Sequence, residues 1–224
     1  MTLSIIGRCS KTGQMGIAIS SSSIAVGARC PWLRSKVGAV STQNITLPAL
    51  GPSILDRLQQ GATAETALKA GLDTDDYAAW RQVTVMTTDG QSAFYSGEKT
   101  LGVNNALSGE NCVAAGNLLA NPDVIAAMVQ AFEQRSGHLA DRLIAAMQAG
   151  MSAGGEAGPV HSAALSIVDS PVWPIVDLRV DWTDADPIDE LNKLWQAYQP
   201  QMQDYITRAL DPTQAPSYGV PGDE

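Results

Sequence analysis

Alternation of apolar and polar residues at the start of the chain predicts two short paired strands. Leu3–Cys9 and Met15–Ser21 are rich in isoleucine and alanine, and Ser10–Gln14 separates them. A short spacer with a glycine, here Gly13, is typical of a β-hairpin because glycine adopts positive φ at little cost. The period of two places Thr2, Ser4 and Ile6 on one face of the first strand, and Leu3, Ile5 and Gly7 on the other.

The remaining strands and helices follow in blocks. Further strands are predicted at Val37–Gln43, Gln82–Thr87, Ser92–Tyr95, Cys112–Gly116, Ser162–Val168 and Val172–Val180. Apolar stripes at helical spacing predict two helices after the third strand, two after Asn121-Pro122 and one from Asp186-Pro187. This order favours an α+β layered fold over a doubly wound parallel sheet. We expect one domain over residues 1–210 and a flexible, Pro- and Gly-rich tail over residues 211–224.

Composition is that of an ordinary globular protein and argues against nucleic-acid binding. Of 224 residues, 45% are hydrophobic, and 14 basic against 23 acidic side chains give a net charge of −9. Binding to a phosphate backbone relies on clustered lysine and arginine, so no nucleic-acid partner is expected. No apolar run approaches the roughly 20 residues that span a bilayer, and no secretory leader is recognisable. We therefore expect a cytoplasmic protein without a membrane partner.

Few residues offer the common catalytic or metal-binding chemistry. The three cysteines, Cys9, Cys30 and Cys112, have irregular spacing that indicates neither a disulfide framework nor a zinc site. Only His138 and His161 are histidines, which makes a Ser-His-Asp triad improbable. The glycine motifs that bind nucleotides are absent as well. No metal and no cofactor is expected.

The first two residues, Met1 and Thr2, offer a different chemistry. Removal of Met1 would leave Thr2 with both its hydroxyl and a free α-amine, which is a nucleophile joined to its own base. An α-amine titrates near pH 7.7–8, so it is partly neutral at physiological pH. If Met1 is retained, Thr2 has no free amine and this mechanism fails.

Segments spread along the chain to about Trp195 resemble, in their order and spacing, the DUF1028 family. These segments are MTLSIIGR, TGQMGIAISS, AVGARCPW, VGAVSTQ, ENCVAAGNLL, HSAAL and VDLRVDW. The resemblance implies the fold of the N-terminal nucleophile (Ntn) hydrolases, a four-layer αββα sandwich of two antiparallel sheets between helices. It also implies an enzyme whose first residue attacks an amide carbonyl while the α-amine takes the proton.

Carried onto this chain, the resemblance implies a site built around Thr2. Thr2 would be the nucleophile, and Ser4 would form hydrogen bonds beside it on the same strand face. Asn117 would supply a donor to the oxyanion. Lys36 lies where a basic residue assists the nucleophile in proteasome-type Ntn hydrolases, although not in DUF1028 relatives. The candidate substrate-binding residues are Gln43, Ser21 and His161.

Three hypotheses about function follow. The leading one is an amidohydrolase that cleaves a C–N bond in a small non-protein substrate. The second is a non-catalytic small-molecule-binding or scaffold protein on the same fold. The third is a cysteine-dependent enzyme in which Arg29 lowers the pKa of the Cys30 thiol. Open sheet edges and the Trp and Met content predict a homodimer or a higher homo-oligomer.

Overall fold

The computed structural model describes residues 2–220, which form ten strands and five α-helices. The strands are β1 (Thr2–Arg8), β2 (Met15–Ser21), β3 (Pro31–Arg34), β4 (Gly38–Asn44), β5 (Arg81–Thr87), β6 (Ser92–Ser96), β7 (Asn105–Gly109), β8 (Cys112–Asn117), β9 (Ser162–Val168) and β10 (Val176–Val180). The helices are α1 (Leu50–Gln59), α2 (Ala64–Leu72), α3 (Asp123–Gln134), α4 (Leu139–Ser152) and α5 (Pro187–Leu210). The predicted α+β class is confirmed.

All strand pairs are antiparallel, and the strands form two sheets. Sheet A has the order β10-β9-β2-β1-β8-β7, and sheet B has the order β3-β4-β5-β6. Strand β1 lies in the interior of sheet A, with β2 on one side and β8 on the other. The first strand of the chain is therefore held along both of its edges.

The two sheets are stacked between two layers of helices, as predicted. The outer face of sheet A packs on α3, α4 and α5, and the outer face of sheet B packs on α1 and α2. The inner faces meet in an apolar cluster formed by Ile6, Met15, Ile17, Ala39, Met86, Val113 and Val168. Burial of each large aliphatic side chain contributes roughly 1.5–3 kcal/mol. The two interfaces between sheet and helices and the cluster between the sheets therefore stabilise the αββα sandwich.

The face assignment predicted for the first strand is confirmed. Leu3 and Ile5 pack into the helical core outside sheet A, whereas Ile6 packs between the sheets. Gly7 and Gly16 lie directly opposite each other on β1 and β2. A Cβ at Gly7 would lie 2.5 Å from the Phe132 ring, and one at Gly16 2.7 Å from Leu143. This glycine pair lets α3 and α4 approach the sheet closely.

The edges of the sheets differ most from the prediction. Strands β3 and β7 are not among the strands that the sequence predicts, since their side chains are partly exposed and show no strict alternation. Strand β10 begins at Val176, not at Val172, whose side chain is 92% exposed. Pro171 and Pro174 flank Val172 and lack the N–H that a strand interior needs.

The last helix begins where the sequence predicts. Asp186 Oδ1 accepts hydrogen bonds from the Ile188 and Asp189 N–H groups, and Pro187 occupies the first turn. No helix within residues 2–220 combines the length and the apolar character that a membrane span requires. Beyond α5, residues 211–220 form one 3₁₀ turn at Pro212–Gln214. Met1 and the last part of the predicted tail, residues 221–224, lie outside the described residues.

Candidate functional site

Thr2 begins β1 and lies between Ser21 of β2 and Asn117 of β8. Directly opposed residues on antiparallel strands point to the same face, with Cβ atoms about 4.5–5.5 Å apart. The Thr2 Oγ1 atom is 3.3 Å from Ser21 Oγ. Thr2 is 6% exposed. Strand pairing thus brings three of the predicted site residues side by side, on the face of sheet A that meets sheet B.

A chain of buried polar side chains continues from this group between the sheets. Ser4 Oγ donates to Gln43 Oε1 at 2.7 Å, and Gln43 Nε2 donates to Gln82 Oε1 at 2.8 Å. Asn117 Nδ2 donates to the same Gln82 oxygen at 3.1 Å. Gln82 Nε2 in turn donates to the Gly116 carbonyl at 3.0 Å. The structure therefore links Ser4, Gln43 and Asn117, and it adds Gln82, which the sequence analysis did not single out.

The space between the two sheets is polar at one end and apolar at the other. Around Ile6, Ile17 and Val113 it is filled by hydrophobic side chains, as in an ordinary sandwich core. Near Thr2 it holds buried hydroxyl and amide groups instead. Buried polar groups cost free energy unless each of them is hydrogen-bonded, so the packing of the two sheets does not explain why they occur here. We therefore place the candidate site at the polar end.

The backbone just beyond Asn117 has an unusual conformation. Leu118 has φ of 51°, in the left-handed region that bulky side chains rarely adopt. Its N–H donates to the Leu101 carbonyl, and its carbonyl accepts from the Ala157 N–H, both at 2.9 Å. Surrounding hydrogen bonds thus hold a strained residue one position from the strand partner of Thr2. Strain of this kind clusters at functional sites.

A buried carboxyl group that the sequence patterns do not predict lies at the same end of β1. Glu156 is 5% exposed, and burial raises the pKa of its carboxyl to about 8, although the nearby Ser22 backbone acts in the opposite direction. Within the described part of the chain, neither carboxyl oxygen has a hydrogen-bond partner of ordinary geometry. Glu156 lies in the stretch Ser152–Pro159, whose glycines indicate only a loop. No local pattern marks it.

Lys36 is not near Thr2, which corrects the expectation that it assists the nucleophile. It is exposed, lies in the turn between β3 and β4 and borders the same cleft as Thr12 and Gly13. Those two residues form the hairpin turn at the other end of β1. A seven-residue strand is about 20 Å long, too far for a lysine to reach Thr2. The β3–β4 turn lies at the end of the sandwich opposite Thr2, near the turn between β1 and β2.

His161 lies at the outer rim of the site, just beyond Ser21. Its backbone N–H donates to the Ser21 carbonyl at 2.9 Å. Its ring stacks on Trp182 with 4.3 Å between ring centroids, and Nδ1 is 2.9 Å from the Thr183 carbonyl oxygen. The ring is therefore fixed beside the site, and its role in substrate binding stays a prediction.

The polar end around Thr2 is enclosed, whereas wider clefts lie elsewhere. One cleft of about 530 Å³ is bordered by Lys36, Leu58 and Asp89, at the opposite end of the sandwich. Among residues 2–220, no three His, Cys, Asp or Glu side chains come together in a way that could hold a metal ion.

Cysteine labelling tests the hypothesis of a Cys30 nucleophile. Burial raises the pKa of Cys30 to about 11 despite the Arg29 charge, and it raises that of Cys112 to about 12. Burial also acts to raise the pKa of Cys9, but hydrogen bonds from Thr12 and Lys11 and the Arg142 charge together outweigh it and lower the pKa. We expect iodoacetamide at neutral pH to modify Cys9 first, as read by peptide mass spectrometry.

The control for this labelling is the protein unfolded in guanidinium chloride, in which all three thiols should react at similar rates. Fast modification of Cys30 in the folded protein would contradict the prediction and support the cysteine hypothesis.

Comparison with known proteins identifies the family. Residues 2–191 match the family described as "Family of unknown function (DUF1028)". The crystal structure of protein SPO2555 from Silicibacter pomeroyi, also of DUF1028, has 28% identity and a TM-score of 0.85, covering 91% of this chain and 89% of that one. Anbu (ancestral beta-subunit) from Yersinia bercovieri covers 97% of this chain and 100% of its own, at 11% identity and a TM-score of 0.41. No curated protein matches. The chain belongs to the DUF1028 family.

Proposed function

We propose that this protein is an N-terminal nucleophile hydrolase that cleaves a C–N amide bond in a small non-protein substrate. Removal of Met1 makes Thr2 the first residue and exposes its α-amine. Thr2 Oγ1 is then the nucleophile, and the amine of the same residue is the base. The observation that carries the proposal is the chain of buried polar side chains that surrounds Thr2 in an otherwise apolar sandwich.

The reaction proceeds in two stages with Thr2 as the covalent carrier. In the first, Oγ1 bonds to the amide carbon, and its proton passes to the α-amine. The tetrahedral intermediate breaks its C–N bond, and the resulting α-ammonium gives the proton to the leaving nitrogen, which departs as an amine. In the second, the amine takes a proton from water, the hydroxide attacks the threonyl ester, and a carboxylic acid leaves while Oγ1 regains its proton.

Asn117 is the candidate donor to the oxyanion. Its side chain lies on the same face as Thr2, in the directly opposed position. One amide hydrogen is donated to Gln82 Oε1, which fixes the orientation of the amide. An asparagine amide has two hydrogens, so the second is left to stabilise the negative charge that develops on the substrate oxygen. Gln43, held by Ser4 and Gln82, supports this arrangement from sheet B.

Enclosure of the site favours a small substrate. Thr2 is 6% exposed and lies between the last residues of β2 and β8. An atom so deeply buried is out of reach for a segment of a folded polypeptide, which favours a compact amide. The substrate class in this proposal is therefore a low-molecular-weight amide.

An acyl-adduct experiment tests the proposal. The purified protein is first weighed intact and sequenced from its N-terminus, and it is then incubated with a panel of small activated amides and esters. We expect loss of Met1 and a mass increase that maps to the peptide starting at Thr2. A protein that lacks Met1 and forms no adduct with any member of the panel would contradict the hydrolase.

The alternative is a non-catalytic small-molecule-binding or scaffold protein. The near-complete burial of Thr2, with its hydroxyl beside Ser21, favours this alternative. Full retention of Met1 in the purified protein would support it over the hydrolase, because the base would then be missing.

A further inference from the structure

Glu156 is fixed to the segment that leaves β8. It pairs with Leu119 through an isolated antiparallel bridge, two residues beyond Asn117. The N–H of its neighbour Ala157 donates to the Leu118 carbonyl at 2.9 Å. On the other side, the Gly155 carbonyl accepts from the Ala120 N–H at 3.0 Å, so backbone bonds hold the Glu156 main chain at the end of sheet A where β1 begins.

The carboxyl group of Glu156 also reaches the segment that leaves β2. The backbone of Ser22 lies close enough to the carboxyl to influence its pKa. Ser22 follows Ser21, the partner of Thr2 on β2, just as Leu118 follows the partner of Thr2 on β8. Glu156 thus contacts the continuations of both neighbours of β1. Since β1 lies between these two neighbours and begins at Thr2, Glu156 lies at the end of the sheet at which Thr2 is located.

A buried carboxyl group is expected to have a hydrogen-bond or ion-pair partner, and the Glu156 carboxyl has none of ordinary geometry among residues 2–220. Both oxygens are buried without a hydrogen bond of ordinary geometry from any residue between 2 and 220. A buried carboxylate is stable only when it is paired or hydrogen-bonded. The complementary group is a cation with several N–H donors, and a free α-amine at Thr2 is such a group.

We propose that the Glu156 carboxyl binds the α-amine that removal of Met1 exposes on Thr2, and thereby orients this amine toward Thr2 Oγ1. The inference rests on the proposed function and extends it to a residue of another segment. Glu156 accepts an N–H hydrogen bond from the amine, so that the lone pair of the nitrogen faces the hydroxyl. When the amine has taken the hydroxyl proton, the carboxylate stabilises the ammonium. Glu156 is therefore a positioning residue, which acts on the substrate only through the amine.

Other ionisable groups lie at the same end of the sandwich. The His161 ring is 3.8 Å from Asp184, and the Cys30 thiol is buried between the sheets. These three groups are unchanged in the variants below, so differences among the variants report on Glu156 alone.

The test measures the pKa of the Thr2 α-amine in the absence of substrate. The protein is produced with Thr2 as its first residue by cleavage of a ubiquitin fusion, and trace labelling with acetic anhydride is followed by mass spectrometry from pH 6 to 10. In the wild type we expect the α-amine pKa above the usual 7.7–8, because a carboxylate favours the charged amine. In Glu156→Gln we expect it lower by about one pH unit or more, a tenfold change in basicity.

Two further variants make the result specific. Glu190→Gln, which removes a partly exposed glutamate paired with Lys193, should leave the amine pKa at the wild-type value. Glu156→Asp should retain part of the elevation, as expected for a charge and not for a packing role. If Glu156→Gln does not fold, Glu156→Ala is judged by the same criterion. A folded variant without the carboxyl but with the wild-type amine pKa would overturn the inference.

Failure of this inference is distinguishable from failure of the proposed function. The amine pKa is read without turnover, whereas the hydrolase is tested by the acyl adduct on Thr2. An adduct that forms while Glu156→Gln leaves the amine pKa unchanged would refute only the role of Glu156.

Discussion

Thr2→Ala is expected to reduce hydrolysis of any amide that the wild type cleaves by at least about 10³-fold, because alanine keeps the α-amine but has no hydroxyl. Removal of an attacking atom leaves only the rate that binding and the oxyanion donor provide. The measurement is kcat/KM for one substrate found in the amide panel, with the N-terminus of each protein verified by mass. Alanine at position 2 is small enough for Met1 to be removed as before.

Thr2→Ser is the matched control for this substitution. Serine retains both the hydroxyl and the α-amine, so measurable activity and an acyl adduct should persist. The variant lacks the methyl group of threonine, and a moderate loss of rate is expected from the freer hydroxyl. Wild-type activity in Thr2→Ala would show that another residue attacks the substrate.

Gln82→Leu is expected to destabilise the protein by about 2–5 kcal/mol, since two buried donors, Gln43 Nε2 and Asn117 Nδ2, lose their common acceptor. Leucine is similar in size, so the loss reflects unsatisfied hydrogen bonds and not a cavity. Urea unfolding followed by circular dichroism measures the change as a shift of the midpoint at constant m-value.

The control is Gln91→Leu in the exposed turn before β6. Gln91 donates through Nε2 to Asp89 at 2.9 Å but is open to water, so a change within about 0.5 kcal/mol is expected. A loss below about 1 kcal/mol in Gln82→Leu would contradict the prediction and indicate that water satisfies the two amides.

Local patterns along the chain were sufficient to predict the core of the fold. The alternation in the first strand placed Ser4 and Ile6 on one face, and in the structure both lie on one face, which meets sheet B. Asn121-Pro122 and Asp186-Pro187 marked the starts of α3 and α5 within a residue or two. Such signals depend on neighbours in sequence, so a single chain is enough to read them.

The rest of the site depends on long-range register, which no local pattern encodes. Gln82 joins the site because β5 pairs with β4 in a register that aligns it with Gln43. Glu156 joins it because a glycine-rich loop returns to Leu119, and nothing in that loop indicates where it will lie. Lys36 was misplaced for the same reason, since its distance from Thr2 is set by which end of the sandwich the β3–β4 turn occupies.

The position of β1 inside sheet A has a consequence for how an active protein would be made. β1 precedes β8 in the chain, and β8, which covers the second edge of β1, ends at Asn117. At about 5–20 residues per second, that partner arrives roughly 5–20 s later. In the proposed enzyme, an aminopeptidase has access to the start of β1 until β8 pairs with it, because Thr2 is buried in the folded protein. In the proposed enzyme, removal of Met1 from the nascent chain therefore competes with folding. The strand pairing that buries Thr2 also limits the time in which its α-amine can be exposed.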